Sequence, residues 1–411
     1  MTAYLFRNAR IVDGTLPERG PATNVLVDGG SIREVGPHTQ SDTADVIDLA
    51  GRTLMPGLID CHVHVVAVVA GLGANAKLPN SLVTAKSILV MRGMLMRGFT
   101  TVRDVGGADF GLKSAADQNL FPAPRLLISG KALSQTGGHC DFRGRYDDTP
   151  APKSGFTLGS LGRICDGVPD VRRAAREELK GGADFIKIMA NGGCASPTDP
   201  IHFFGFSREE LSAVVEEADS AGTYVSAHLY TDDAILRCVE TGVHSLEHCN
   251  LIKSVTARLA AEKGCVAVPT LVTFDKLTSE GASVGVPTDA IAKVEVVRAA
   301  GMESLDIMRK AGLTMAYGTD LLGEMHRHQS EEFVIRGEVL PAQEVIASAT
   351  GIAAKLLRME GKIGTIATGA FADLIVVDGD PLRDLSLLTR QGMHMPLIMK
   401  AGALVKQTTL T

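Results

Sequence analysis

Residues Gly57–Val65 read GLIDCHVHV, an apolar run interrupted by two histidines one residue apart. In an extended strand alternate side chains share a face, so His62 and His64 point one way and Cys61, Val63 and Val65 the other. A lone buried histidine is ordinarily a hydrogen-bonded core residue. Two imidazoles converging from one strand end suggest a metal site, because imidazole suits zinc and its neighbours in the transition series. The remaining ligands must come from elsewhere in the chain.

Further along, short apolar segments alternate with helical ones. FTTVRDVGG, RLLISGKALS, DFIKIMANGG, YVSAHLYTDD, HSLEHCN, CVAVPTLV and LTMAYGTDLL read as strands. Between them, VRRAAREELKGGA and SREELSAVVEEADSAG carry helix formers and end at glycine, a common helix C-terminus. Counting GLIDCHVHV first, strand and helix alternate roughly eight times, the signature of a parallel α/β barrel. A doubly wound open sheet would alternate similarly, but no Gly-rich dinucleotide fingerprint follows the first strand. Both chain ends read instead as hairpins: AYLFRNARIVDG and NVLVDGGSIREVG at the start, FADLIVVDGDP and PLIMKAGALVKQ at the end. The expected fold is therefore α/β, a (β/α)8 TIM-like barrel with a small β-sandwich domain built from both termini. The expected bounds are 1–56 and 357–411 for the sandwich and 57–356 for the barrel.

The bulk composition narrows the function. The chain has 411 residues, 45% hydrophobic and 21% charged, an ordinary globular balance with room for a large core. A formal charge of −6 without a long Lys/Arg cluster argues against a nucleic-acid partner. No apolar run reaches membrane-spanning length and the start MTAYLFRNARIVDG lacks a secretory pattern, so no membrane partner is expected. Seven cysteines without CxxC spacing fit reduced thiols, and a cytoplasmic location is expected.

In such a barrel, functional residues lie at the C-terminal ends of strands. His62 and His64 close the first strand, Lys187 lies within FIKIMANGG, His228 ends YVSAHLY, His248 ends HSLEHCN, and Asp320 ends MAYGTD. A structural core has no need to place four histidines, a lysine and an aspartate at five strand ends. His139 in SQTGGHCDFRG follows the third strand, and Tyr230 shares a strand face with His228.

HVH, FIKIMANGGCASPTDP, SAHLYTDDA, HSLEHCN and YGTDLLGE together resemble the amidohydrolase superfamily. Within it the chain is similar to the imidazolonepropionase-related group, which contains metal-dependent Xaa-Pro dipeptidases (prolidases) and ochratoxin-hydrolysing amidohydrolases. The resemblance covers nearly the whole chain. It implies a cofactor of two divalent metal ions; the mixed histidine and carboxylate set suits zinc, with manganese or cobalt as substitutes. His62, His64 and Asp320 would hold one ion and His228 and His248 the other, with Lys187, carboxylated by CO2, bridging them. A lysine ammonium has no lone pair, whereas its carbamate is an anionic ligand able to span two ions. A metal-bridging hydroxide would attack the amide, and Asp320 would shuttle the proton to the leaving nitrogen. By the same resemblance His139 would polarise the carbonyl or bind a substrate carboxylate, and Tyr230 would contact that carboxylate or the tetrahedral intermediate.

The expected activity is hydrolysis of small N-acyl-L-amino acids, foremost dipeptides such as Xaa-Pro. The alternatives are an amidase for aryl-acyl amino acids such as ochratoxin A and a cyclic-amide hydrolase of the imidazolonepropionase type. A non-catalytic barrel would have no chemical need for Lys187 and Asp320. The expected partners are a small-molecule substrate and further copies of the chain, as a homo-oligomer with an octamer as its suggested size. His202, His326 and His328 are candidates for the pocket lining, and Arg143, Arg145 and Arg327 for a substrate carboxylate. His244 lies at the wrong end of its strand. The Gly/Pro-rich stretch 132–167 is expected to form part of the pocket rim.

Overall fold

The computed structural model describes residues 2–150, 157–194, 196, 198–286 and 288–408. Leu58–Val63 is buried at every position, as a strand covered on both faces must be. It pairs in parallel with Phe99–Asp104, which pairs with Arg125–Ile128. A second parallel sheet runs through Gly162–Ile164, Ala132–Ser134, Ile186–Met189, Val225–Thr231, Ser245–Leu251, Val266–Val268 and Thr314–Met315. Two seams join these sheets into a barrel. At one, Cys61 N donates to Tyr317 O at 2.8 Å and Asp320 N to His62 O at 2.8 Å. At the other, Asp184 N donates to Ile128 O at 2.7 Å.

The second seam corrects the reading of RLLISGKALS as a single strand. It is two, Arg125–Ile128 and Ala132–Ser134, broken where Gly130 takes φ +67°. Only glycine enters that left-handed region without a Cβ penalty. The first half stays with Phe99–Asp104, while Leu133 in the second half pairs with Ile188.

The crossover helices are delimited by local chemistry. Asp109 accepts from Leu112 N at 2.8 Å and caps Phe110–Asp117. Ser207 and Glu210 form a reciprocal capping box at the start of Arg208–Ser220, satisfying N–H groups that the helix leaves unpaired. Gly242, left-handed, ends Asp232–Thr241.

Strands from both chain ends form one eight-stranded mixed sheet. Thr53–Pro56 pairs in parallel with Tyr4–Ile11 on one side and antiparallel with Leu374–Val377 on the other. The edge strand Ser31–Gly36 and its turn also bond the segment that precedes Leu374–Val377: Ile32 N donates to Ala370 O at 2.9 Å and Ala372 N to Gly30 O at 3.0 Å. The enclosed core of Phe6, Val25, Ile47, Leu54, Leu374 and Met399 is separate from that of the barrel. All seven cysteines are free and buried. Among the described residues no helix is long and apolar enough to cross a membrane.

Candidate active site

The eight residues singled out from the sequence, His62, His64, His139, Lys187, His228, Tyr230, His248 and Asp320, line one cavity. Leu72, Phe142, Leu161, Phe274, Leu277 and Leu322 supply apolar wall. His139, Cys140, Phe142 and Leu161 come from the 132–167 stretch, while its residues 151–156 lie outside the described residues. Ala195 and Pro197 of the FIKIMANGGCASPTDP motif also lie outside them.

Each imidazole is oriented by a specific partner. His62 Nδ1 lies 2.7 Å from Glu247 Oε2, and His64 Nδ1 lies 2.9 Å from the Gly106 carbonyl. Carboxylate and carbonyl oxygens only accept, so both Nδ1 atoms carry hydrogen, and in the neutral rings both Nε2 atoms present lone pairs. Those two Nε2 atoms face one oxygen, Asp320 Oδ1, at 3.4 and 3.2 Å. Three acceptors thus converge with no donor among them unless a proton or a cation is supplied. The donor atoms of His62, His248 and Asp320 lie within 4.8 Å of one another, a spacing open to a metal ion. His248 Nδ1 is 2.8 Å from Thr270 Oγ1. The His228 ring lies 4.8 Å from that of His248 and stacks at 4.3 Å on His139.

Lys187 is 1% exposed. Among the described residues its amine makes no hydrogen bond or ion pair. Burial pulls its ammonium down to about 8. Burial would raise the Asp320 carboxyl, but the charge that His62 and His248 carry when protonated, with hydrogen bonds then donated by His62 and His64, outweighs it and lowers the group well below the usual carboxylate range. Burial, then the neighbouring His139 and His248, keeps His228 neutral far below the usual imidazole value. Burial holds the Tyr230 phenol well above its ordinary value, so it remains a hydrogen-bond donor.

The backbone is strained where these residues sit. His248, Cys249 and Asp320 have φ of 69°, 60° and 53°, a left-handed region rare for residues other than glycine. Opposite them, His139 Nδ1 bonds Ser196 Oγ at 2.8 Å. A Cβ on Gly193 would fall 1.6 Å from that nitrogen, so only glycine leaves room for the ring. Lys293 braces the same loop by donating to the carbonyls of Gly193, Ser196 and Asp199.

Several sequence candidates lie elsewhere. Arg143 is paired with Asp141, Arg145 is exposed, and Arg327 is paired with Glu280. His202 is exposed, His326 bonds the Ala67 carbonyl at 3.1 Å, and His328 sits between Glu280 and Glu331. None of these six lines the cavity. His244 packs on Tyr224, away from the cavity. Conversely, Glu247, Arg103, Thr270 and Ser196 support the site and were not singled out from sequence. The available signal was a charge inside an apolar strand, as in HSLEHCN and TTVRDVGG.

The sequence profile of the amidohydrolase family matches residues 53–402. A crystal structure of an amidohydrolase superposes with a TM-score of 0.97 at 53% identity, covering 99% of this chain and 100% of that one. A prolidase solved with N-methylphosphonate-L-proline gives a TM-score of 0.97 at 47% identity with the same coverage. Ochratoxinase from Aspergillus niger is 29% identical over 372 residues, 86% of this chain and 75% of that protein. The chain belongs to the amidohydrolase family and is a hydrolase of carbon–nitrogen (amide) bonds.

Proposed function

We propose that the protein hydrolyses the amide bond of small N-acyl-L-amino acids, Xaa-Pro dipeptides first, at a centre of two divalent ions. The observation that carries the metal centre is the convergence of His62 Nε2, His64 Nε2 and Asp320 Oδ1, a cluster of acceptors that a cation satisfies. In this reading His62, His64 and Asp320 would hold one ion and His228 and His248 the other. Lys187, buried without a partner among the described residues, would serve both as a ligand once its neutral amine combines with CO2 to a carbamate, with loss of a proton. Bound ions supply Lewis acidity and activate water near neutral pH.

The chain's own residues do the rest. Asp320 Oδ2 makes no hydrogen bond among the described residues, which leaves it to take a proton from the attacking water and pass it to the leaving nitrogen. His139, its Nδ1 held by Ser196, keeps Nε2 for the substrate, and Tyr230 offers its phenol. Phe142 and Phe274 in the wall favour a second substrate of the same chemistry, an aryl-acyl amino acid such as ochratoxin A. Metal analysis of active protein should find two ions per chain, and one ion or none would overturn the binuclear centre.

Masking the substrate α-carboxylate as a methyl ester tests the substrate class. The ester leaves the scissile amide untouched but removes a charge that His139 and Tyr230 are proposed to bind. A desolvated charged pair is worth on the order of 2–5 kcal/mol. At about 1.36 kcal/mol per tenfold, kcat/KM should fall at least about a hundredfold. Equal hydrolysis of acid and ester would point to a broad amidase or a cyclic amide instead. The chain is also proposed to assemble as a homo-oligomer, with an octamer as the suggested size. Sedimentation at the monomer mass at micromolar concentration would overturn this.

A further inference from the structure

We infer that Glu247, anchored by Arg103, is a positioning residue that sets the tautomer and ring orientation of His62 for metal binding. This rests on the metal centre proposed above. Glu247 immediately precedes His248 on the strand Ser245–Leu251, and in a regular strand the two would face opposite sides. The left-handed backbone at His248 and Cys249 breaks that alternation. Both side chains reach His62: Glu247 Oε2 lies 2.7 Å from its Nδ1, and the His248 ring 4.8 Å from its own.

The carboxylate is filled by donors. Oε1 accepts from Arg103 Nη2 at 2.8 Å, Ser226 Oγ at 2.7 Å and Ser245 Oγ at 2.6 Å, while Oε2 faces His62. Glu247 therefore acts on a ligand and is not one itself. Arg103 is held in turn by the Cys61 carbonyl at 2.5 Å, one residue before His62. Both side chains of the pair are 0% exposed.

A buried ion pair is weak evidence for a stabilising role. Replacing a buried ion pair by apolar residues is often neutral or stabilising, so a pair at this position calls for another role. Partners that bond the far nitrogen of a metal-binding histidine fix its tautomer and raise its basicity. Glu247 meets that description for His62, whose Nε2 it turns toward Asp320.

The test compares wild type with Glu247→Gln and with the double variant Arg103→Met/Glu247→Leu, which removes both charges together. Zinc affinity is read by competition with a chelator, and the visible spectrum is recorded after cobalt loading. Both variants should bind zinc about 10–100-fold more weakly. Their cobalt bands should shift while the far-ultraviolet circular dichroism stays unchanged. A folded variant with wild-type affinity and spectrum would overturn the assignment. If neither variant folds, nitrogen-15 spectra of metal-free wild type decide: His62 should carry its proton on Nδ1, and the Nε2–H tautomer overturns the role. Wild type that takes up neither ion would refute the metal centre itself, a result distinct from the other two.

Discussion

Replacing Lys187 with alanine should lower kcat roughly a thousandfold or more, with the protein still folded. The metal contribution to amide hydrolysis amounts to several kcal/mol of transition-state stabilisation. At about 1.36 kcal/mol per tenfold, losing the proposed bridge between the two ions should remove three or more decades. The fold should tolerate the change, because the buried amine has no hydrogen-bond partner among the described residues to leave stranded. Truncation also opens space beside the proposed ligands, so formate, acetate or propionate should restore part of the rate by standing in for the proposed carbamate. Steady-state kinetics with and without these acids check both statements. A variant within about tenfold of wild type would refute the bridging role.

Asp320→Asn should keep the fold and lose the chemistry. Asparagine is nearly isosteric, and it tolerates the left-handed backbone that this position adopts at φ 53° better than most residues do. Its amide cannot hold a proton at neutral pH, so the transfer from water to leaving nitrogen has no carrier. Loss of a positioned acid–base group costs typically about 10²–10⁴ in rate. The melting temperature and metal content should be measured beside kcat, because Asp320 Oδ1 also faces His62 and His64. A folded, metal-loaded Asp320→Asn variant with near-normal kcat would remove Asp320 as the shuttle.

The two substitutions differ in what the sequence alone conveyed about them. Asp320 and Lys187 were legible because a barrel brings the C-terminal ends of its strands to one mouth, so residues far apart in the chain meet by topology. Neither the unpartnered state of the Lys187 amine nor the crowding of Asp320 by two imidazoles could be read that way. The crowding depends on two imidazoles that lie more than 250 residues away along the chain. The same holds for the arginines and histidines of the loops. Arg327 and His328 follow Asp320 closely, but the turn after Leu322 carries them to Glu280 and away from the cavity. Loop direction has no periodicity from which to predict it.

By itself the sequence determined the barrel, the sheet shared by both termini and the set of side chains that meet in the cavity. These follow from alternation, helix caps and strand order, which are local properties or rules of connection. Tertiary structure alone decided how those side chains are held. Glu247 reaches His62 across 185 residues and Arg103 across 144. Gly193 yields its Cβ space to His139, and the third strand breaks at Gly130 so that one segment can serve two sheets. The physical reason is that buried polar groups must find partners wherever packing places them, and those partners carry no signature of their distance along the chain.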